Sequence, residues 1–193
     1  TANDIDLNGY VLERWSNGEQ AATDLTTLAG TISAYGTWVV TNGQDEDIDL
    51  GTFISPACDP DLMALADQLD LPYPAPTFMN GNDALILMLN GSEICDIFGK
   101  PGQDPGQAWT APDGTFITDS QTMVRKPEVM DGVVLPPISF LPMAEYDTLG
   151  IDNWSNLGIH NCNCDPSVGI EDQEALDINI FPNPVAGADD VTI

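Results

Sequence analysis

The sequence predicts an all-β fold, a two-layer β-sandwich with one short helix near 60–70 and a partial β-unit at the C-terminus. Three observations predict it. Short runs rich in β-branched and aromatic residues recur along the chain, punctuated by Gly, Asn, Asp and Pro. One run, ALILML at 84–89, is apolar on both faces, and Asn90-Gly91 joins it to EICDIF at 93–98. That is the pattern of a core hairpin with a two-residue turn. Only residues 59–70 keep a helical period.

Each element follows from local chemistry. GYVLERW (9–15) alternates until Arg14 breaks the apolar face, which reads as an outer strand. Residues 25–32 give a short strand or loop, and TWVVT (37–41) is β-branched and aromatic, hence a strand. In 59–70, Leu62, Leu65, Ala66 and Leu69 share one helical face. Asp59 is a good N-cap, Pro60 suits the first helical position, and Asp61 suits the positive end of the dipole. TMVRK (122–126) is a strand, 132–150 a proline-rich excursion, and LGIH (157–160) the closing strand. The composition then shifts. Residues 1–164 form the expected sandwich, 165–174 a linker, and 175–193 a second β-unit with Leu176, Ile178 and Ile180 on one side.

The chain has 193 residues, enough to bury a core without disulfides. It carries 31 carboxylates against four basic residues, Arg14, Lys100, Arg125 and Lys126, for a net charge of -27. Such a chain repels phosphate backbones and anionic membranes, so direct nucleic-acid binding is not expected. No apolar run is long enough to span a bilayer, so no membrane insertion is expected. Four cysteines fit an oxidising compartment. Cys162 and Cys164 are too close to bridge without strain. Of the pairings left open, a Cys58–Cys95 disulfide is the working expectation.

Residues with chemical potential have plainer readings beside them. Asp45, Asp47 and Asp49 with Glu46 form the densest acidic cluster. A solvated loop is one reading and a Ca²⁺ site the other; no other cofactor is expected. Asp83 lies between Asn82 and Ala84 in GNDA and reads as a turn residue capping backbone amides. His160 is the single histidine, and no G-x-S-x-G elbow accompanies it, so no catalytic residue is assigned and an enzyme is not expected. His160, Cys162 and Cys164 offer three crowded zinc ligands, with a disulfide role as the alternative. Trp38 reads as core. Trp109 and Trp154, in loops, read as end caps or as a carbohydrate platform.

The stretch NGNDALILMLNGSEICDIFGKPGQDPGQAW followed by DSQTMVRK resembles the lamin-tail domain in its bacterial secreted form. So does DLNGYVLERWSNGE followed by GTWVVTNG, and the ordered motifs span about residues 5–160. The resemblance implies an immunoglobulin-like β-sandwich. The tail INIFPNPV…DDVTI resembles the opening of the sorting domain used by type IX secretion, which implies export to the cell exterior or outer surface of a bacterium. The lamin-tail family starts with two further strands, and the sorting domain runs beyond Ile193. The chain is therefore read as part of a longer protein, with an open sheet edge as the sharper alternative. Asp147-Thr148-Leu149 resembles the O-glycan acceptor of bacteria using this route, with Thr148 as the acceptor.

These features imply a non-catalytic secreted module of structural or adhesive kind. Self-association, other surface proteins and carbohydrate are its expected partners. One version is an extracellular fibre assembled by strand exchange, with Leu176, Ile178 and Ile180 on the donor. The competing reading is an accessory domain of a larger secreted hydrolase such as a nuclease.

Overall fold

In the computed structural model, residues 2–115 and 117–162 are described. The expected linker, the β-unit at 175–193 and its Leu176, Ile178 and Ile180 lie outside the described residues. The described residues are mostly β, arranged as several small sheets with few, short helices. In order they form β1 (Ile5–Asp6), β2 (Tyr10–Trp15), β3 (Asp24–Thr27), β4 (Thr31–Ile32), β5 (Val40–Thr41), β6 (Ile48–Asp49) and β7 (Ile54–Ser55). Then come α1 (Pro60–Met63), β8 (Gln68–Leu69), β9 (Ala84–Leu89), β10 (Glu93–Phe98), β11 (Met123–Arg125), α2 (Pro142–Glu145) and β12 (Tyr146–Thr148).

The largest sheet is antiparallel, in the order β10-β9-β2-β3. Its centre is the expected apolar strand β9. Ile86 pairs with Ile97, and both are buried, because each places a β-branched side chain on the covered face. The hairpin forms where Asn90-Gly91 directs it, and both residues have positive φ, 51° and 67°. The loop is one residue longer than expected, since Leu89 pairs with Glu93 and Ser92 donates to the Leu89 carbonyl. The ladder also slips between Ile94 and Asp96, so Cys95 sits in a β-bulge. Gly132 lies against that bulge. A Cβ there would come within 2.1 Å of the Cys95 carbonyl oxygen, which only glycine avoids.

Four expectations about elements need correcting. β2 is not an outer strand but lies between β9 and β3, and Arg14 is buried. Its charge is tolerated because Asp24, opposite it on β3, takes the guanidinium at 2.6 Å. The helix begins as the caps direct, with Asp59 accepting from the Asp61 N–H at 2.8 Å, but α1 ends at Met63. Beyond it the backbone finds better partners. The Val39 carbonyl accepts from the Asp67 and Gln68 N–H groups, and the Asp67 carboxylate takes the Val39 N–H at 2.8 Å. The segment therefore runs parallel to β5 as β8, and Leu65 and Leu69 stay exposed. Of the strand expected at 37–41, only Val40–Thr41 pairs. Residues 157–160 make turns, with Leu157 donating to Trp154 and Ile159 to Asn156, and not a closing strand.

Side chains tie neighbouring segments to the two outer strands of the large sheet, and on β3 one of them covers edge backbone groups. On β3, the Gln68 carboxamide donates to the Thr27 carbonyl at 2.9 Å and accepts the Ala29 N–H at 3.0 Å. A side chain thus fills the place of a neighbouring peptide group. On β10, Asp96 accepts the Val133 N–H at 2.8 Å. The cover on β3 blunts an edge that would otherwise pair with another chain.

Candidate functional site

The acidic cluster does not assemble a Ca²⁺ site. Asp45, Asp47 and Asp49 are all exposed. Asp47 accepts the Ala57 N–H and Asp49 the Gly51 N–H, each at 2.8 Å, so both carboxylates hold the β6–β7 hairpin. Among the described residues, no three His, Cys, Asp or Glu side chains come together in a way that could hold a metal ion. The loop around them is ordered from within by Gln44. This buried residue donates to the Ser55 and Pro56 carbonyls, both at 2.8 Å, and accepts the Tyr73 N–H.

The expected Cys58–Cys95 bridge is not made, and both residues are free thiols. Cys58 is buried beside α1, its N–H bonded to the Gln44 carbonyl, whereas Cys95 sits in the β10 bulge. Cys162 is disulfide-bonded, so its sulfur does not serve as a thiolate ligand, and His160 is exposed. Burial and the Asp59 charge push the Cys58 thiol up; burial and the charges of Glu93 and Asp96 do the same for Cys95. The thiolate is the nucleophile, so alkylation by iodoacetamide is expected to be slow at pH 7 and to climb only above the ordinary thiol value of about 8.5. Half-buried Cys95 should label first in the native protein, and Cys58 only on unfolding. Mass spectrometry after timed labelling checks this, and equal native rates would contradict it.

Asp83 is a capping residue, though across the fold and not within its own turn. Buried beside β9, it accepts the Asn17 N–H at 3.0 Å. Trp109 is core, with its N–H bonded to Thr118 and its ring edge-on to Phe140 at 5.4 Å. Trp38 is half-buried and lies on Gly30, where a Cβ would come within 2.2 Å of the indole. Thr148 is half-buried on β12 opposite Met123. Trp154, by contrast, lines an open cleft.

This cleft, of about 770 Å³, is built by segments far apart in sequence. Its floor is apolar, from Leu85, Phe98, Met123 and Tyr146, and Met79, Ile151 and Trp154 form exposed or half-buried walls. Asn80, Asp119, Gln121 and Asp152 supply polar groups. Ser120 and Asp152, both on the cleft, hold φ of 54° and 52°, a conformation that side chains other than glycine adopt at some cost. A smaller cleft of about 280 Å³ includes Arg14 and Asp83, whose polar atoms are already engaged.

Behind the larger cleft an ion-pair network fixes β12. Arg125 grips Asp96 through two nitrogens, at 2.5 and 3.1 Å, and Glu145 at 3.0 Å. Burial works against its charge, but the bonds to Asp96 and Glu145 outweigh it and hold the guanidinium above its ordinary range. Arg125 also lies over the Tyr146 ring, 5.6 Å from the centroid. Burial, opposed by Arg125, pushes the Tyr146 phenol up to about 12, so it stays a neutral hydroxyl across the physiological range.

Fold and site together define a mostly β protein with a solvent-open cleft of mixed apolar and polar lining. No family model, no curated protein and no solved structure matches the chain.

Proposed function

We propose that the chain is a non-catalytic structural or adhesion module, secreted to the exterior or outer surface of a bacterium by the type IX route. We further propose that it is an immunoglobulin-like sandwich of lamin-tail type that works by contact with copies of itself or with other surface proteins. The ordered motifs between residues 5 and 160 support the family reading. The observation that carries the contact reading is the segment 130–143. Met130, Val134, Leu135, Ile138, Leu141 and Met143 are all exposed there, Ile138 almost completely at 95%. Exposed apolar surface of this density is a mark of interaction faces.

Charge supports the same reading. All four basic side chains are engaged within the chain: Arg14 with Asp24, Arg125 with Asp96 and Glu145, Lys100 with the Ile138 carbonyl, and Lys126 with the Met143 carbonyl. A polyanion therefore finds little to grip, while copies of the chain repel one another until salt screens them. Sedimentation velocity tests the proposal. At about 1 M salt the screening length falls to about 3 Å, and association that rises with protein concentration is expected. Leu135→Glu with Ile138→Glu should abolish it. A monomer under all conditions, at concentrations up to about 1 mM, would remove the self-contact reading.

A further inference from the structure

We infer that the 770 Å³ cleft between the 79–81, 118–123 and 151–154 segments binds a neutral pyranose sugar, either as a free oligosaccharide or as the end of a glycan. Its size lies within the range of small-molecule sites, roughly 300–1,000 Å³. The inference rests on chemistry that lining residues leave unused. Among the described residues, the Tyr146 hydroxyl, the Trp154 indole N–H, the Asn80 and Gln121 carboxamides and the Asp152 carboxylate have no hydrogen-bond partner in the protein. They surround a floor of Leu85, Phe98 and Met123. Donors and acceptors are thus both on offer around an apolar surface.

That combination selects among ligand classes. An aliphatic or lipid ligand would cover these polar groups without bonding them, a cost of about 1–3 kcal/mol for each group left unpaired. An anion meets Asp119 and Asp152 in a chain of net charge -27. A quaternary cation finds the Tyr146 face already taken by Arg125, and although the Trp154 ring stays open to it, it offers no acceptor to the Trp154 N–H or to the Asn80 and Gln121 amide donors, which it would leave unpaired. A pyranose presents hydroxyls at its rim and C–H groups on its face, so it can bond the polar groups while packing on the aromatic wall. The pre-set, strained rim at Ser120 and Asp152 fits a ligand clamp. The site is argued from geometry alone, so it stands or falls separately from the lamin-tail reading.

Calorimetric and tryptophan-fluorescence titrations with maltotriose, cellotriose, xylotriose and N,N′-diacetylchitobiose test the inference. At least one sugar is expected to bind with Kd at or below about 1 mM. Trp154→Ala should weaken it by about tenfold or more, and so should Gln121→Ala, whose exposed, unpartnered side chain gives folding no reason to suffer. Trp38→Phe, remote from the cleft lining, should leave affinity unchanged. Silence from every sugar up to about 10 mM overturns the inference. So does binding that both cleft variants leave intact, or binding of tetramethylammonium while the sugars stay silent. Comparing a free trisaccharide with a glycopeptide bearing the same sugar then separates the two sources.

Discussion

Asp70→Ala is expected to cost about 3–5 kcal/mol of folding stability, because two backbone N–H groups lose their acceptor along with two hydroxyls, and each buried group left unpaired costs about 1–3 kcal/mol. Asp70 is 5% exposed and sits just after β8. One carboxylate oxygen accepts from the Thr26 hydroxyl on β3 and from the Leu71 N–H at 2.8 Å. The other accepts from the Thr77 N–H at 3.2 Å and the Thr77 hydroxyl at 3.0 Å. A single side chain therefore ties the large sheet to β8 and to the turn at Pro76–Phe78. Alanine removes both oxygens and strands four donors: the Thr26 hydroxyl, the Leu71 N–H, and the Thr77 N–H and hydroxyl. Asp70→Asn keeps the shape and one acceptor, so a smaller loss of about 1–2 kcal/mol is expected. Urea titration followed by circular dichroism measures both. An alanine variant within about 1 kcal/mol of the parent would show that Asp70 does not join these parts.

The Arg14–Asp24 pair is expected to give the second large effect, with a sign that depends on how it is removed. The side chains are 8% and 9% exposed, and Arg14 reaches the same Asp24 oxygen through Nε at 2.9 Å and a terminal nitrogen at 2.6 Å. Arg14→Ala leaves a carboxylate buried without its counter-charge and should cost about 3–5 kcal/mol. The double change Arg14→Met with Asp24→Leu removes both charges and keeps the volume. It should recover most of that loss, because taking two ions out of water cancels much of their attraction. Denaturant midpoints for the single and double variants decide the matter. If the double variant is as unstable as Arg14→Ala, packing of the long arginine stem and not charge pairing is what matters here.

How much of this was legible depends on whether the deciding contacts are local. The β9–β10 hairpin was, because Asn90-Gly91 and the apolar runs beside it carry their own instructions. So was the start of α1, where Asp59 and Pro60 act on adjacent residues. The helix end was not. Leu62, Leu65 and Leu69 keep the helical period, but Val39, more than twenty residues upstream in the chain, offers a carbonyl to Asp67 and Gln68. Arg14 was misread for a similar reason. Alternation in β2 marks it as a break in the face, and nothing in β2 announces that Asp24 will stand opposite. Trp109 and Trp154 look alike as loop residues, yet only tertiary placement puts one in the core and the other on a cleft. The cleft has no local signature at all, since its walls come from three separated loops and strands from two sheets.

Gln68 carries one more implication. A strand that guards an edge must be unzipped rung by rung before a rival can dock, whereas a carboxamide swings away by rotation about its own bonds. The rim of β3 is thus latched and not welded. An incoming extended segment would have to turn the Gln68 amide, and with it break the bond from the Trp38 indole N–H to the same oxygen at 3.4 Å, to reach the Thr27 carbonyl and the Ala29 N–H, and the amide can swing back once the visitor leaves.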